Sequence, residues 1–194
     1  MASDFLSQLF GLDGKNAVVI GGDRDTGGVI CEVLARAGAA VVVAGDSESR
    51  GHRRVETIRA LAGDAGFMFV DAADRESLEA LCDRAFDEHG VIDILVICCG
   101  EDARTDEDAA AALHAGEVFA PRFARQDDGG TVLVVSNPAD SPTQRVSDEL
   151  ARVHGKSNVR FNTLEHGVGN DAARSLLFLV SPAGRAAAGK SIRL

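Results

Sequence analysis

Short β-branched runs alternate with helix-period segments along this chain, and that alternation narrows the fold more than any other feature. Asn16–Ile20, Ala40–Ala44, Gly66–Val70, Ile92–Cys98 and Thr131–Ser136 read as strands, as do the alternating Val159, Phe161 and Thr163 and a short closing run at Ser191–Leu194. Between them, apolar residues recur at helical spacing: Val29, Ile30, Val33 and Leu34, then Val55, Ile58 and Leu61. Leu78, Leu81, Cys82, Ala85 and Phe86 give the clearest stripe, with Asp74 placed to cap its start and Gly90 to end it. An Ala-rich helix runs towards Gln126, and further helices carry Val146, Leu150 and Val153, and Ala173, Leu176, Leu177 and Val180. Strands that are apolar on both faces must be covered on both faces, which predicts a parallel sheet. Right-handed crossovers then make an α/β, doubly wound, mostly parallel sheet of about seven strands in one Rossmann-like domain.

Composition bounds the rest. A chain of 194 residues suits one domain. Thirty acids against 20 bases, a net charge of −10, argue against a nucleic-acid partner, which needs a basic face. No apolar run is long enough to span a bilayer, and Met1–Phe10 carries Asp4 with no basic residue, unlike a signal peptide. A cytoplasmic protein with no membrane partner is expected. Cys31, Cys82, Cys98 and Cys99 lack C-x-x-C spacing and read as buried thiols. The adjacent Cys98–Cys99 pair reads as the end of a buried strand before it reads as a redox or metal site. His52, His89, His114, His154 and His166 show no metal spacing, and no metal ligand is assigned; His89 and His154 each precede a glycine at a helix end, where a cation complements the dipole. His166 beside Glu165 is a possible acid/base pair with no nucleophile near it in sequence. Glu101–Asp108, five acids and one arginine, reads as a solvated loop or a contact for a basic partner. Residues 1–9 stand apart as an extension whose Phe5, Leu6 and Leu9, continued by Phe10, form one apolar face; residues 10–194 form the domain.

The order of motifs resembles the short-chain dehydrogenase/reductases. The lead-in Phe10 to Lys15 followed by Ala17-Val18-Val19-Ile20-Gly21-Gly22 is similar to that family's opening. Asp71-Ala72 is similar to its adenine-contacting Asp, and Ile92-Asp93-Ile94-Leu95-Val96 leading to Gly100 to its N-N-A-G strand. Leu176 to Ser181 through Gly189 looks like its closing helix and strand. The resemblance implies a glycine-rich turn that lets the backbone approach a diphosphate at a helix N-terminus. Gly21 and Gly27 match that turn, Gly22 lies within it, and Asp25 stands where the middle glycine belongs. A carboxylate there faces a diphosphate, with Asp23 adding a second negative group; Asp25 is expected to cap the helix in place of the phosphate. The family's ribose-binding acid falls at Gly45, with Asp46 one place late, and its N-N-A-G asparagines fall on Ile97 and Cys98. Gly21, Gly22, Asp25 and Gly27 are therefore expected to be a vestigial loop, and Asp71 and Gly100 vestigial contacts.

The family's chemistry, as the resemblance implies it, uses a Tyr, a Lys four residues later, a Ser and a helix Asn. The sequence has 0 Tyr, and its only lysines are Lys15, Lys156 and Lys190. The Ser falls on Asn137, with Ser136 one place early and pointing away, and the helix Asn falls near His114. The 21 residues between Asn137 and Val159 leave little room for a Tyr-bearing turn and a full helix, and the substrate-covering loop after His166-Gly167 is short. No catalytic residue is assigned. The expectation is a chain inactive by itself, with no cofactor of its own, that assembles with and stabilises a catalytic short-chain dehydrogenase subunit holding NAD. The assembly expected is a two-plus-two hetero-oligomer. It would use the helices flanking the fifth strand and the well-kept C-terminal segment Arg174–Leu194. Such a pairing is similar to the heteromeric 2-(α-hydroxybenzyl)succinyl-CoA dehydrogenase of anaerobic toluene degradation, which would imply a hydroxyacyl-CoA substrate. The alternative is a small nucleotide- or acyl-CoA-binding sensor that uses the crevice, motivated by Asp71 and Gly100. Weaker still is the structural half of a polyketide-type ketoreductase.

Overall fold

A computed structural model describes residues 2–99, 106–136, 144–155, 157–165, 170–187 and 191–193. Its strands are β1 (Asn16–Ile20), β2 (Ala40–Gly45), β3 (Asp64–Phe69), β4 (Ile94–Cys98), β5 (Gly130–Ser136), β6 (Val159–Glu165) and β7 (Ser191–Arg193). They form one seven-stranded sheet in the order β3-β2-β1-β4-β5-β6-β7, with every neighbouring pair parallel. The helices are α1 (Ala2–Phe10), α2 (Asp25–Arg36), α3 (Glu48–Ala60), α4 (Arg75–His89), α5 (Asp106–Phe123), α6 (Gln144–His154) and α7 (Asn170–Val180), with a 3-10 helix at Pro182–Ala187. The doubly wound architecture expected from the alternation is the one observed. No helix among the described residues is long and apolar enough to cross a membrane.

Strand residues alternate between the two faces, so each strand feeds two cores. Val18, Ile20, Val42 and Leu95 pack with α4, α5 and α6; Val19, Val43, Val41 and Val96 pack with α2, α3 and α7. Phe86, Phe119 and Phe123 form an aromatic triangle in the first core, with ring centroids 6.1 to 6.4 Å apart. Strand order reverses between β1 and β4, which opens a crevice at the carboxyl ends of the strands.

Local chemistry sets the helix ends. Asp74 Oδ1 accepts from the Glu76 amide at 3.0 Å, and Gly90 closes α4 at φ +73°, as expected. His89 and His154 are the last residues of α4 and α6. Three residues of the expected apolar stripes are exposed instead. Val29 lies on the outer side of α2, Leu61 falls just past the end of α3, and Val153 sits on the outside of the last turn of α6. Helix α5 stops at Phe123, and beyond it the Gln126 side chain ties the loop down, its Nε2 donating to Ile92 O and Gly129 O. Helix α1 packs against the 3-10 helix while Phe5 and Leu6 stay exposed, so this segment lies at least partly on the domain.

Candidate functional site

The β1–α2 turn is built by close backbone approach. Gly21 has φ +78°, and a Cβ there would come 2.8 Å from the Cys98 carbonyl oxygen at the end of β4. At Gly22 it would meet Val19 O and Cys31 Sγ, each at 2.9 Å, and at Gly27 it would run into the Gly21 carbonyl, 2.7 Å from its carbon. The turn is therefore pinned between the end of β4 and the first turn of α2. Above it lies a cavity of about 300 Å³ lined by Gly21, Gly45, Asp46, Asp71, Ala72 and Ile97 among others. A second hollow of about 220 Å³ adjoins it at the first turn of α2. The crevice at the carboxyl ends of the strands is open.

The acids of the turn behave differently from expectation. Helix α2 begins at Asp25, and Arg24 occupies the N-cap position with extended backbone and no side-chain bond. Asp25 therefore does not cap the helix; its carboxylate is exposed on the first residue, and no side chain among the described residues caps the first turn. Asp23 does not face the hollow as a bare charge either. Its carboxylate is fully buried over Gly45, and Arg50 donates to Asp23 Oδ2 from Nε at 3.1 Å and Nη2 at 2.7 Å. A Cβ at Gly45 would fall 2.9 Å from Asp23 Cβ and onto its carboxylate. The space that a side chain at position 45 would fill is thus occupied by the Asp23 carboxylate. Asp46 bridges the two arginines, accepting from Arg24 at 2.9 Å and Arg50 at 2.7 Å. Its burial works against ionisation, but the hydrogen bond from Arg24 and the charges of Arg24 and Arg50 prevail and hold its carboxyl below the usual aspartate value. Sequence reasoning missed this four-residue ionic cluster. The i,i+4 pair Asp46–Arg50 was the one part with a readable spacing.

The remaining candidates separate. Asp71 is exposed at the crevice rim, where its amide donates to Ser77 Oγ and its Oδ1 accepts from the Ala73 amide. Gly100, Asn137 and His166 lie outside the described residues. Ser136 is buried, and its Oγ has no hydrogen-bond partner among the described residues; in the sheet register it stands opposite Glu165, itself buried. His114 is half-buried on α5. Lys15 Nζ pairs with Asp93 at 2.7 Å at the opposite end of the sheet from the crevice. Cys98 ends β4, and burial pushes its thiol well above the ordinary value, with Cys31 and Cys99 adding to the shift. No group of three or more His, Cys, Asp or Glu among the described residues could hold a metal ion.

The dinucleotide of this fold has to be tested against these residues. For the adenosine part, the cavity of about 300 Å³ with Asp71 at its rim leaves space. At the diphosphate position the first-turn amides of α2 offer donors, while the Asp25 carboxylate opposes. Two charges 4 Å apart repel by about 1 kcal/mol in water and about 4 kcal/mol near a protein surface. Asp25 is exposed, so the lower figure applies, which weakens a diphosphate about fivefold rather than excluding it.

Comparison with known proteins matches residues 15–119 to the short chain dehydrogenase family. A short chain dehydrogenase/reductase of Aspergillus oryzae is 29% identical over 169 residues, covering 76% of this chain and 63% of that protein. A 3-oxoacyl-[acyl-carrier-protein] reductase of Chlamydia pneumoniae is 34% identical over 85 residues, covering 44% of this chain and 34% of its own. The chain thus spans between one third and just under two thirds of the length of these relatives. The crystal structure of a hydroxysteroid dehydrogenase from Escherichia coli superposes with a TM-score of 0.84 at 24% identity, covering 97% of this chain and 98% of that one, a likeness of fold. These relatives are named as reductases and dehydrogenases, and that overturns the expectation of a chain inactive by itself: the missing phenol carried that expectation, whereas the family match runs through the strands and helices that build the crevice. With its matched segment covering more than half of its length, the chain belongs to the short-chain dehydrogenase family.

Proposed function

We propose that this chain works as an oxidoreductase of its family, its crevice holding the adenosine part of a nicotinamide dinucleotide or of a CoA thioester. We further propose that it does so in a two-plus-two hetero-oligomer with a second short-chain dehydrogenase chain. The observation that carries the binding part is the open crevice at the carboxyl ends of β1 and β4, with no side-chain cap at the start of α2 among the described residues. The partner is motivated by the closing helix α7 and strand β7, the segment through which the sequence is expected to assemble. A hydroxyacyl or oxoacyl thioester is the favoured substrate class, in line with the relative named as an acyl-carrier-protein reductase.

Within this reading, the bound dinucleotide supplies or accepts the hydride. The protein's own residues bind and orient. Gly21, Gly22 and Gly27 keep the backbone within reach, Asp71 stands at the rim as an acceptor for the base, and the Asp46 bridge holds Arg24 over the mouth. The test is calorimetry with NADH, NADPH and acetyl-CoA on the purified chain, followed by thioester reduction with and without a co-purified partner. Binding of one of the three is expected. No heat with any of them removes the reading.

A further inference from the structure

A further cavity lies at the other end of the sheet, away from the crevice. Its volume is about 330 Å³, and it opens between the amino-terminal ends of β1, β4, β5 and β6 and the 3-10 helix. Three cations line it: Lys15, Arg160 and Arg185. Two acids, Asp93 and Asp128, line it as well. Lys15 is neutralised by Asp93 at 2.7 Å. Arg160 and Arg185 have no carboxylate partner among the described residues.

Arg160 is held in place. Its Nη1 donates to Leu179 O at 2.9 Å and Gly184 O at 3.1 Å, and its Nη2 reaches Val180 O at 3.4 Å, so it closes the carboxyl end of α7. These bonds use both protons of Nη1 and one of Nη2. A guanidinium has five N–H donors in a rigid fork. The Nε–H has no acceptor among the described residues, and it shares one edge of the fork with Nη2, whose single bond, to Val180 O, is the longest of the three. That edge is the one that takes an oxyanion through two parallel bonds. Burial lowers the Arg160 pKa, and the charge of Arg185 lowers it further, so the two cations bear on each other. The Ser181 hydroxyl, the Thr131 side chain and the Asn158 amide complete a polar wall. Asp128, exposed on the same cavity, is the one lining acid with no ion pair among the described residues, and it favours a small ligand that stays on the arginine side.

We propose that this cavity is a binding site for a phosphate-type oxyanion, free or as the phosphomonoester of a small metabolite, gripped by the open edge of Arg160 and by Arg185. The site is independent of the crevice, and ligands of this fold are expected at the carboxyl ends of the strands, not here.

The test is calorimetry and thermal melting of the full chain with inorganic phosphate in one arm and ribose 5-phosphate in the other, at fixed ionic strength with chloride as control. Binding in either arm is expected, and the tighter arm identifies the source. Arg185→Gln should weaken it about tenfold, the size of a lost charged hydrogen bond. Arg24→Gln, in the crevice, should leave it unchanged. Arg160→Lys keeps the charge but loses the fork and should also weaken binding; since Arg160 also holds α7, Arg185→Gln is the deciding variant. No binding in either arm, or binding lost in Arg24→Gln and kept in Arg185→Gln, overturns the proposal. Nucleotide binding in the crevice should persist in Arg185→Gln, so the two readings fail separately.

Discussion

Gly27→Ala puts the closeness of the β1–α2 turn to a quantitative test. Gly27 is the third residue of α2, and a Cβ there meets the Gly21 carbonyl, 2.7 Å from its carbon, where ordinary contact begins at 3.4 Å. The Cβ position is fixed by the helix backbone and the carbonyl is itself backbone, so no side-chain rotation relieves the clash. The helix must part from the turn by at least about 0.7 Å, while Gly21 is itself pressed on Cys98 O. Overpacking of this kind costs about 1–3 kcal/mol, and a contact between two fixed backbones belongs at the upper end. Replacing glycine by alanine in a helix returns up to about 1 kcal/mol of propensity. The net loss is therefore about 2 kcal/mol, or a Tm lowered by about 4–8 °C in a chain of this size. Gly66→Ala is the control. Gly66 lies in β3 with nothing within 4 Å of the methyl that alanine would add, so its stability should hold or rise by up to about 1 kcal/mol. Thermal melts and urea titrations of the two variants measure the difference. If Gly27→Ala melts with Gly66→Ala, the turn has slack and the packing argument fails.

Asp46→Asn tests the ionic cluster through pH. The folded Asp46 carboxyl is depressed, so its contribution is present above the ordinary aspartate value of about 3.9 and is lost as pH falls through its lower folded value. Asp46 is largely exposed, so the effect is a few tenths of a kcal/mol. Urea midpoints of the wild type should fall more steeply with acid below about pH 4 than those of Asp46→Asn, and parallel curves would refute the bridge. The thiols offer a second check. Burial carries Cys82 up to about 12 and Cys31 and Cys98 well above their ordinary value, so at pH 8 these three should resist alkylation in the folded protein and react once urea unfolds it. Fast native alkylation of Cys82, found by peptide mass mapping, would contradict its burial.

The sheet was legible because two periodicities carry it. β1 was read to the residue, and Asp74 and Gly90 bound α4 as the sequence indicated, since capping depends on neighbours in the chain. What stayed hidden depends on elements far apart in sequence. The burial of Asp23 requires Gly45 to lack a side chain and Arg50 to reach across from α3, and no local pattern announces a pairing over 27 residues. The fit of α1 against the 3-10 helix joins the two ends of the chain and was open for the same reason. Asp25 was misjudged by a local rule: an Asp before an apolar helical run reads as a cap, but the backbone turns one residue earlier, at Arg24.

The glycines of the turn also say less about ligand binding than the resemblance suggested. Each is demanded by the fold alone: Gly21 by Cys98 O, Gly22 by Val19 O and Cys31, Gly27 by Gly21. A chain that never met a dinucleotide would keep all three, on pain of parting β1 from α2. Their presence therefore cannot separate a working crevice from an empty one. Asp25 can, because its carboxylate is exposed and no packing requires it. Asp25→Gly restores an uncharged turn at a site where the methyl-free backbone costs about 1 kcal/mol of helix propensity at most. If the crevice takes a diphosphate, that variant should bind NADH about fivefold more tightly by calorimetry, the converse of the 1 kcal/mol repulsion at an exposed site. It should leave a ligand with no diphosphate, such as adenosine, unaffected. Equal tightening of both would show that Asp25 acts on the shape of the turn and not on the charge of what lies above it.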